Sequence, residues 1–168
     1  MEAPQTPIGL DLDELYRTYG DMVYRLALVR TQSPSDAEDV AQEVFLRCLR
    51  RAPHFTDGEH QKAWLITVTI NCSKNVLGSA FRRRTVPLDA VAEPSEDGTM
   101  PDSTVYDAVQ RLPQKLRTAI HLHYYEDYSI KEIAAAMNAS ESAVKTWLFR
   151  ARAQLKAELK GAYADDNA

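Results

Sequence analysis

Near the end of the chain, Lys145, Thr146, Phe149 and Lys156 face away from an apolar stripe. Projected at 100° per residue, that stripe is Val144, Leu148, Ala151, Leu155 and Leu159, with Arg152 at its edge. Cations, a hydroxyl and an aromatic ring on one exposed face are the groups that pair with phosphates and contact base edges. The segment ahead would present such a face. Ser129 and Glu132 stand three apart, the spacing of a capping box, and Ile130, Ile133, Ala134 and Met137 follow at helical intervals. Asn138-Ala139-Ser140 then breaks the pattern, because Asn tolerates left-handed geometry and Ser140 can cap the next helix. A short helix, a tight turn and a longer basic helix over 141–159 make a helix-turn-helix, whose second helix enters the DNA major groove. A plain helical hairpin with a solvated basic face has the same periodicity.

No residue set points to catalysis. His121 and His123 are two apart on an expected helix, which aims them about 160° apart and away from a common metal. His54, His60 and a cysteine have no ligand spacing, and no Gly-rich phosphate loop, nucleophile elbow or paired catalytic carboxylate occurs. Neither an enzyme, a metal site nor a cofactor is expected.

The chain of 168 residues suits one domain or two small ones, and a 45% hydrophobic content is enough for a core. No apolar run reaches membrane-spanning length, and the start, MEAPQTPIGLDLDE, has no export-signal pattern, so the cytoplasm is expected. Cys48 and Cys72 sit within apolar helical patterns and are expected as buried thiols.

The net charge of −4 argues against nucleic-acid binding until it is divided along the chain. Residues 85–104 hold five acids and no base, residues 105–161 nine bases against six acids, and residues 10–84 eleven bases against ten acids. Positive charge is local, as phosphate contacts need.

The elements that would position these residues are helical throughout. Leu12, Leu15, Tyr16, Tyr19, Met22, Val23, Leu26 and Ala27 predict a helix from Leu10 to about Arg30. Ser33-Pro34-Ser35-Asp36 is a start signal for the next, whose stripe is Ala37, Val40, Ala41, Val44, Phe45, Cys48 and Leu49. Pro53 ends it, and 53–61 reads as a loop. The stretch 62–84 alternates like a strand at Ile66, Val68, Ile70 and Cys72, but its length and the lack of a partner strand favour helix. Three prolines and five acids mark 85–104 as a flexible linker. The expectation is an all-α chain of two small helical domains, 10–84 and 105–161, joined by that acidic tether.

The run DAEDVAQEVFLR at 36–47, the AWL at 63–65 leading to Arg82–Arg84, and IKEIAAAMNASESAVKTWLFRARAQL at 130–155 together resemble bacterial RNA polymerase sigma factors of the extracytoplasmic-function subfamily. The likeness covers roughly residues 10–160, with the motifs in the expected order. It implies a helical region two over 10–84 and a helix-turn-helix region four over 105–161.

The resemblance also implies roles. Asp36, Glu38, Asp39, Gln42 and Glu43 would dock on the clamp coiled coil of the polymerase largest subunit. His54, Phe55, Asn71, Lys74, Asn75, Arg82, Arg83 and Arg84 would open the −10 promoter element and hold its unstacked strand. Ser142, Lys145, Thr146, Phe149, Arg150, Arg152 and Lys156 would read the −35 element, Arg152 and Lys156 chiefly through phosphates. The polymerase flap, promoter DNA and an anti-sigma factor are the further partners it implies. Trp147 and Phe149 stand where family members often have Arg and His, and Asn75 where an Asp is common. A stand-alone helix-turn-helix regulator is the rival reading. It gives no reason for a tribasic helix end after the Asp-Ala-Glu-Asp helix.

Overall fold

The computed structural model describes residues 11–51, 53–83 and 103–165, excluding the side chains of 77–83, 103 and 162–165. Arg84, the linker up to Asp102 and the last three residues lie outside the described residues. All regular structure among the described residues is helical, in two compact units.

In the first unit, α1 spans Leu12–Thr31, α2 Pro34–Arg51 and α3 Gly58–Arg83. Each boundary has a local cause. The Asp11 carboxylate accepts from the Asp13 and Glu14 amides, and Gln32 ends α1 in the left-handed region at φ 55°. The Ser33 hydroxyl accepts from the Asp36 amide at 3.2 Å, as the Ser-Pro start signal predicts. The ambiguous stretch is helix over its described residues 62–83, and it begins earlier than expected. Asp57 accepts from the His60 amide at 2.8 Å, so the Asp-Gly pair is a helix cap and only 53–57 remains as loop.

The three helices pack on one another around Val23, Leu26 and Ala27 of α1, Val40, Val44 and Cys48 of α2, and Leu65, Ile66 and Ile70 of α3. Full burial of each large aliphatic side chain stabilises by about 1.5–3 kcal/mol. Leu49 departs from expectation: it is 60% exposed. Twelve residues beyond Ala37 the stripe has drifted by about 120°, which carries Leu49 past the packed face. Cys48 and Cys72 are buried free thiols, as expected. Burial pushes the Cys48 pKa up to about 11 and raises that of Cys72.

The second unit comprises α4 (Ser103–Gln110), α5 (Gln114–Ile120), α6 (Ile130–Met137) and α7 (Glu141–Asp165). α4 opens two residues before the expected domain boundary, and α7 outruns the expected end at 161. α4, α5 and α6 all pack on α7. Leu112, Ile120, Leu122, Ile133, Val144, Leu148 and Ala151 form the core. Between α4 and α5, buried Arg117 donates from Nη1 to the Leu112 carbonyl at 2.8 Å.

α5 does not stop cleanly. It widens into a π-helical turn, His121–Tyr125, where the Glu126 amide reaches back five residues to the His121 carbonyl at 3.3 Å. His121 and His123 therefore do not sit on the regular helix assumed from the sequence. The capping box then forms as the spacing predicts. The Glu132 amide donates to Ser129 Oγ at 3.1 Å, and the Ser129 amide to Glu132 Oε1 at 3.1 Å. Asn138 takes φ 51° and ψ 53°, and Ser140 Oγ accepts from the Ala143 amide at 3.0 Å to start α7. Turn and caps set the angle at which α7 leaves α6.

Candidate nucleic-acid interface

In the second unit, buried Val144, Leu148 and Ala151 pin one side of α7 against the core. The remaining faces of the helix are thereby fixed outward, and one flank carries the charge. Ser142, Lys145, Phe149, Arg152 and Lys156 are all exposed and fall within a helical sector of about 80°. They form one ridge with three cations, and Phe149 is 72% exposed within it. Such a ridge is shaped to enter a groove rather than to pack against its own protein. Ser142 also accepts, through its carbonyl, from the Thr146 hydroxyl at 3.1 Å.

Arg152 is the ridge residue with a defined partner. Its Nε donates to the Tyr124 hydroxyl at 2.6 Å, and its guanidinium carbon lies 5.4 Å from the centre of the Tyr124 ring. Not every expected contact residue joins the ridge. Arg150 lies about 100° round the helix from Phe149, lining an open groove of about 640 Å³ with Pro113, Gln114, Leu116 and Gln154. Lys115 and Trp147 complete that groove, with Lys115 Nζ 5.6 Å from the Trp147 ring centre. Trp147 is half-buried, in line with a packing role, and Thr146 lies exposed between ridge and groove.

In the first unit, buried Leu65, Ile66, Thr69, Ile70, Cys72 and Ser73 turn one side of α3 inward. Asn71, Lys74 and Asn75 stand together on its exposed side. His60 and Trp64 lie on that same side about two to four turns earlier. Phe55 leans its ring edge on both, with centroids 5.4 Å from His60 and 5.8 Å from Trp64. Tyr19 of α1 donates from its hydroxyl to the Gly58 carbonyl at 3.0 Å, which ties the start of α3 to the bundle. His60 Nδ1 accepts from the Thr56 amide at 3.1 Å, leaving Nε2 as the donor nitrogen. His54 is exposed beside this cluster. Trp64 thus serves the aromatic cluster rather than the deep core. Arg82 and Arg83 continue α3 in backbone, their side chains outside the described residues together with Arg84.

α2 presents a third surface. Glu38, Asp39, Gln42, Leu46 and Leu49 are all exposed or half-buried and share a sector of about 100° opposite the buried stripe. Asp36 is half-buried at the helix start. Glu43 turns to its own helix, 3.3 Å from Arg47 and 3.8 Å from Arg50. Leu46 and Leu49 were not foreseen as surface residues. The available signal was their angular position, Leu49 between Glu38 and Gln42 and Leu46 between Gln42 and Asp39, on the polar side of the helix. Among the described residues no group of His, Cys, Asp and Glu could hold a metal ion, and no helix is long and apolar enough to cross a membrane.

Comparison with known proteins gives the family. Residues 15–85 match the Sigma-70 region 2 family and residues 103–155 the Sigma-70, region 4 family. The chain is 32% identical over 162 residues to the ECF RNA polymerase sigma factor SigM of Bacillus subtilis, covering 88% of this chain and 94% of that one. It is 33% identical over 147 residues to the ECF RNA polymerase sigma factor BldN of Streptomyces coelicolor, covering 82% of this chain but 56% of that one. The sigma factor RpoE from Bartonella quintana, solved in complex with the anti-sigma factor NepR, shares the fold with a TM-score of 0.68 at 24% identity, covering 89% of this chain and 97% of that one. The chain belongs to the ECF sigma factors of the sigma-70 family, the non-enzymatic subunits that direct RNA polymerase to promoters.

Proposed function

We propose that the three exposed surfaces divide the work of promoter recognition. The α2 face docks on the clamp coiled coil of the polymerase largest subunit, with Glu38, Asp39 and Gln42 meeting basic and polar groups and Leu46 and Leu49 supplying apolar contact. The outer face of α3 and the loop before it take the −10 element. Phe55, His60 and Trp64 offer ring surfaces to an unstacked base, and Lys74 with the arginines at 82–84 offers charge to its phosphates. The α7 ridge takes the −35 element. Residues 10–84 and 105–161 act as the two working domains across the linker at 85–104.

The observation that carries this reading is the α7 ridge, where Lys145, Arg152 and Lys156 line up with Phe149 along one exposed flank of the helix, about 70–130° round from the centre of the buried stripe. A long side chain that only solvates its helix has no need of such alignment with two other cations. The RpoE relative was solved with an anti-sigma factor, and the same kind of partner fits this chain. The site of action is the cytoplasm, where polymerase and promoter are.

Reconstituted transcription with core polymerase and fragments of the source genome tests the reading. Discrete new start sites are expected, lost when Lys145 and Arg152 are both changed to Ala and when the −35 element is scrambled. Start sites that survive both changes would assign the −35 contact elsewhere.

A further inference from the structure

Tyr124 is 59% exposed, and its ring serves no core. It is nevertheless held on two sides. The His123 ring meets it edge-on, with centroids 4.8 Å apart at 86°, and His123 Nδ1 donates to the Tyr128 carbonyl at 2.8 Å. The π-helical turn is closed behind it by the Tyr128 amide, which donates to the Leu122 carbonyl at 2.9 Å. The backbone widening at His121–Tyr125 therefore aims a fixed phenol at α7.

What that phenol meets is Arg152. The hydroxyl oxygen accepts from Nε at 2.6 Å, and the ring lies against the guanidinium at 5.4 Å. An arginine has five N–H donors in a planar fork. With Nε taken by the phenol, the two terminal nitrogens remain, and their outer edge is the one that matches two oxygens of a phosphate. Among the described cations of the ridge, Lys145 and Lys156 have no such side-chain partner, so Arg152 alone is oriented before any ligand arrives.

We infer that Tyr124 is a positioning residue for Arg152, fixing its guanidinium to receive a backbone phosphate of the promoter. The inference rests on the reading of the α7 ridge as the −35 contact and adds to it a residue outside the helix-turn-helix. Fixing a long, flexible side chain in advance removes part of the ordering cost from the binding step. The Tyr124 hydroxyl orients the fork, and the ring adds a cation–π contact to it.

The test is a double-mutant cycle on the holoenzyme, read as promoter affinity across a salt titration. The single variants are Arg152→Ala, Tyr124→Phe and Tyr124→Ala, and each tyrosine change is also made in the Arg152→Ala background. Arg152→Ala is expected to weaken binding about tenfold and to lower the salt slope by about one, as loss of one phosphate contact does. Tyr124→Phe, which keeps the ring, is expected to weaken binding about threefold, and Tyr124→Ala further. In the Arg152→Ala background neither tyrosine change should have any effect. A purely structural role for Tyr124 would persist there, and that outcome overturns the inference. Tyr124 variants that bind as the unchanged holoenzyme does also overturn it while leaving the ridge reading intact. If Arg152→Ala itself changes nothing, the phosphate role of Arg152 fails, and the positioning role with it. Urea unfolding of Tyr124→Phe, expected to be unchanged, separates loss of fold from loss of aim.

Discussion

Arg30 on α1 and Ser73 on α3 meet inside the first unit, where Arg30 Nε donates to Ser73 Oγ at 2.9 Å. Both are buried, and the Ser73 hydroxyl donates onward to the Ile70 carbonyl at 2.7 Å. The helix that bears Asn71, Lys74 and Asn75 is thus locked to α1 by a polar contact in an otherwise apolar core. Ser73→Ala removes an acceptor from a buried cation and should cost about 1–3 kcal/mol. Urea unfolding of the full chain, followed by helical circular dichroism, should show an earlier transition. An unshifted transition would mean that another partner of Arg30 takes over the whole contact.

Leu49 offers a test of the docking face that spares the fold. Because it is 60% exposed, Leu49→Asp should leave unfolding within about 0.5 kcal/mol of the unchanged protein. Affinity for core polymerase should nonetheless fall about tenfold, the effect of losing one apolar anchor. Titration of labelled core polymerase measures it, and equal affinity would remove Leu49 from the interface.

Lys156 stands on the ridge without a base-reading geometry of its own. Lys156→Ala is expected to weaken holoenzyme binding evenly across promoters of different −35 sequence and to reduce the salt slope by about one. A loss confined to one −35 sequence would instead assign Lys156 to a base edge.

The buried thiols give a pH dependence with a definite sign. Desolvation holds the folded pKa of Cys48 at about 11, above its ordinary value of 9.0, and that of Cys72 is raised too. The unfolded chain therefore gives up thiol protons first as pH rises past 9.0, and stability should fall from there toward pH 11. Below pH 9.0 this contribution is fully present. Denaturant midpoints at several pH values check the slope. Maleimide labelling at about pH 7–8 should be slow in the folded protein and fast in denaturant, with a Cys48→Ser variant showing which thiol limits it.

What the sequence made legible is what adjacent residues decide. Ser129 with Glu132, Asn138, Ser140 and the Ser33-Pro34 start all act within one helical turn, and each is found doing so. The choice of helix for 62–84 was also readable, because a lone strand would have no neighbour. Much of the rest depended on how the elements pack and which way each side chain turns. Leu49 looked like a core residue because seven residues at helical spacing ran together, but where the packed face ends depends on how α1 and α3 lie. Glu43, expected as a partner-facing acid, also lies 3.3 Å from Arg47 and 3.8 Å from Arg50 of its own helix. Arg150 shares a motif with Phe149 yet opens on a different surface. Tyr124 carried no local sign at all, since its role depends on a side chain 28 positions away.

The π-helical turn at His121–Tyr125 has a consequence for how relatives are compared. One added residue in a helix rotates everything beyond it by about 100° and advances it by about 1.5 Å. A relative lacking this widening would keep the helices on either side while aiming a different side chain at α7. Matching letters column by column across 121–125 can therefore pair residues that point in different directions, and a single gap there changes which residue counts as the equivalent of Tyr124. Inheritance at this place is better traced by the direction a side chain points than by its position in the text of the chain.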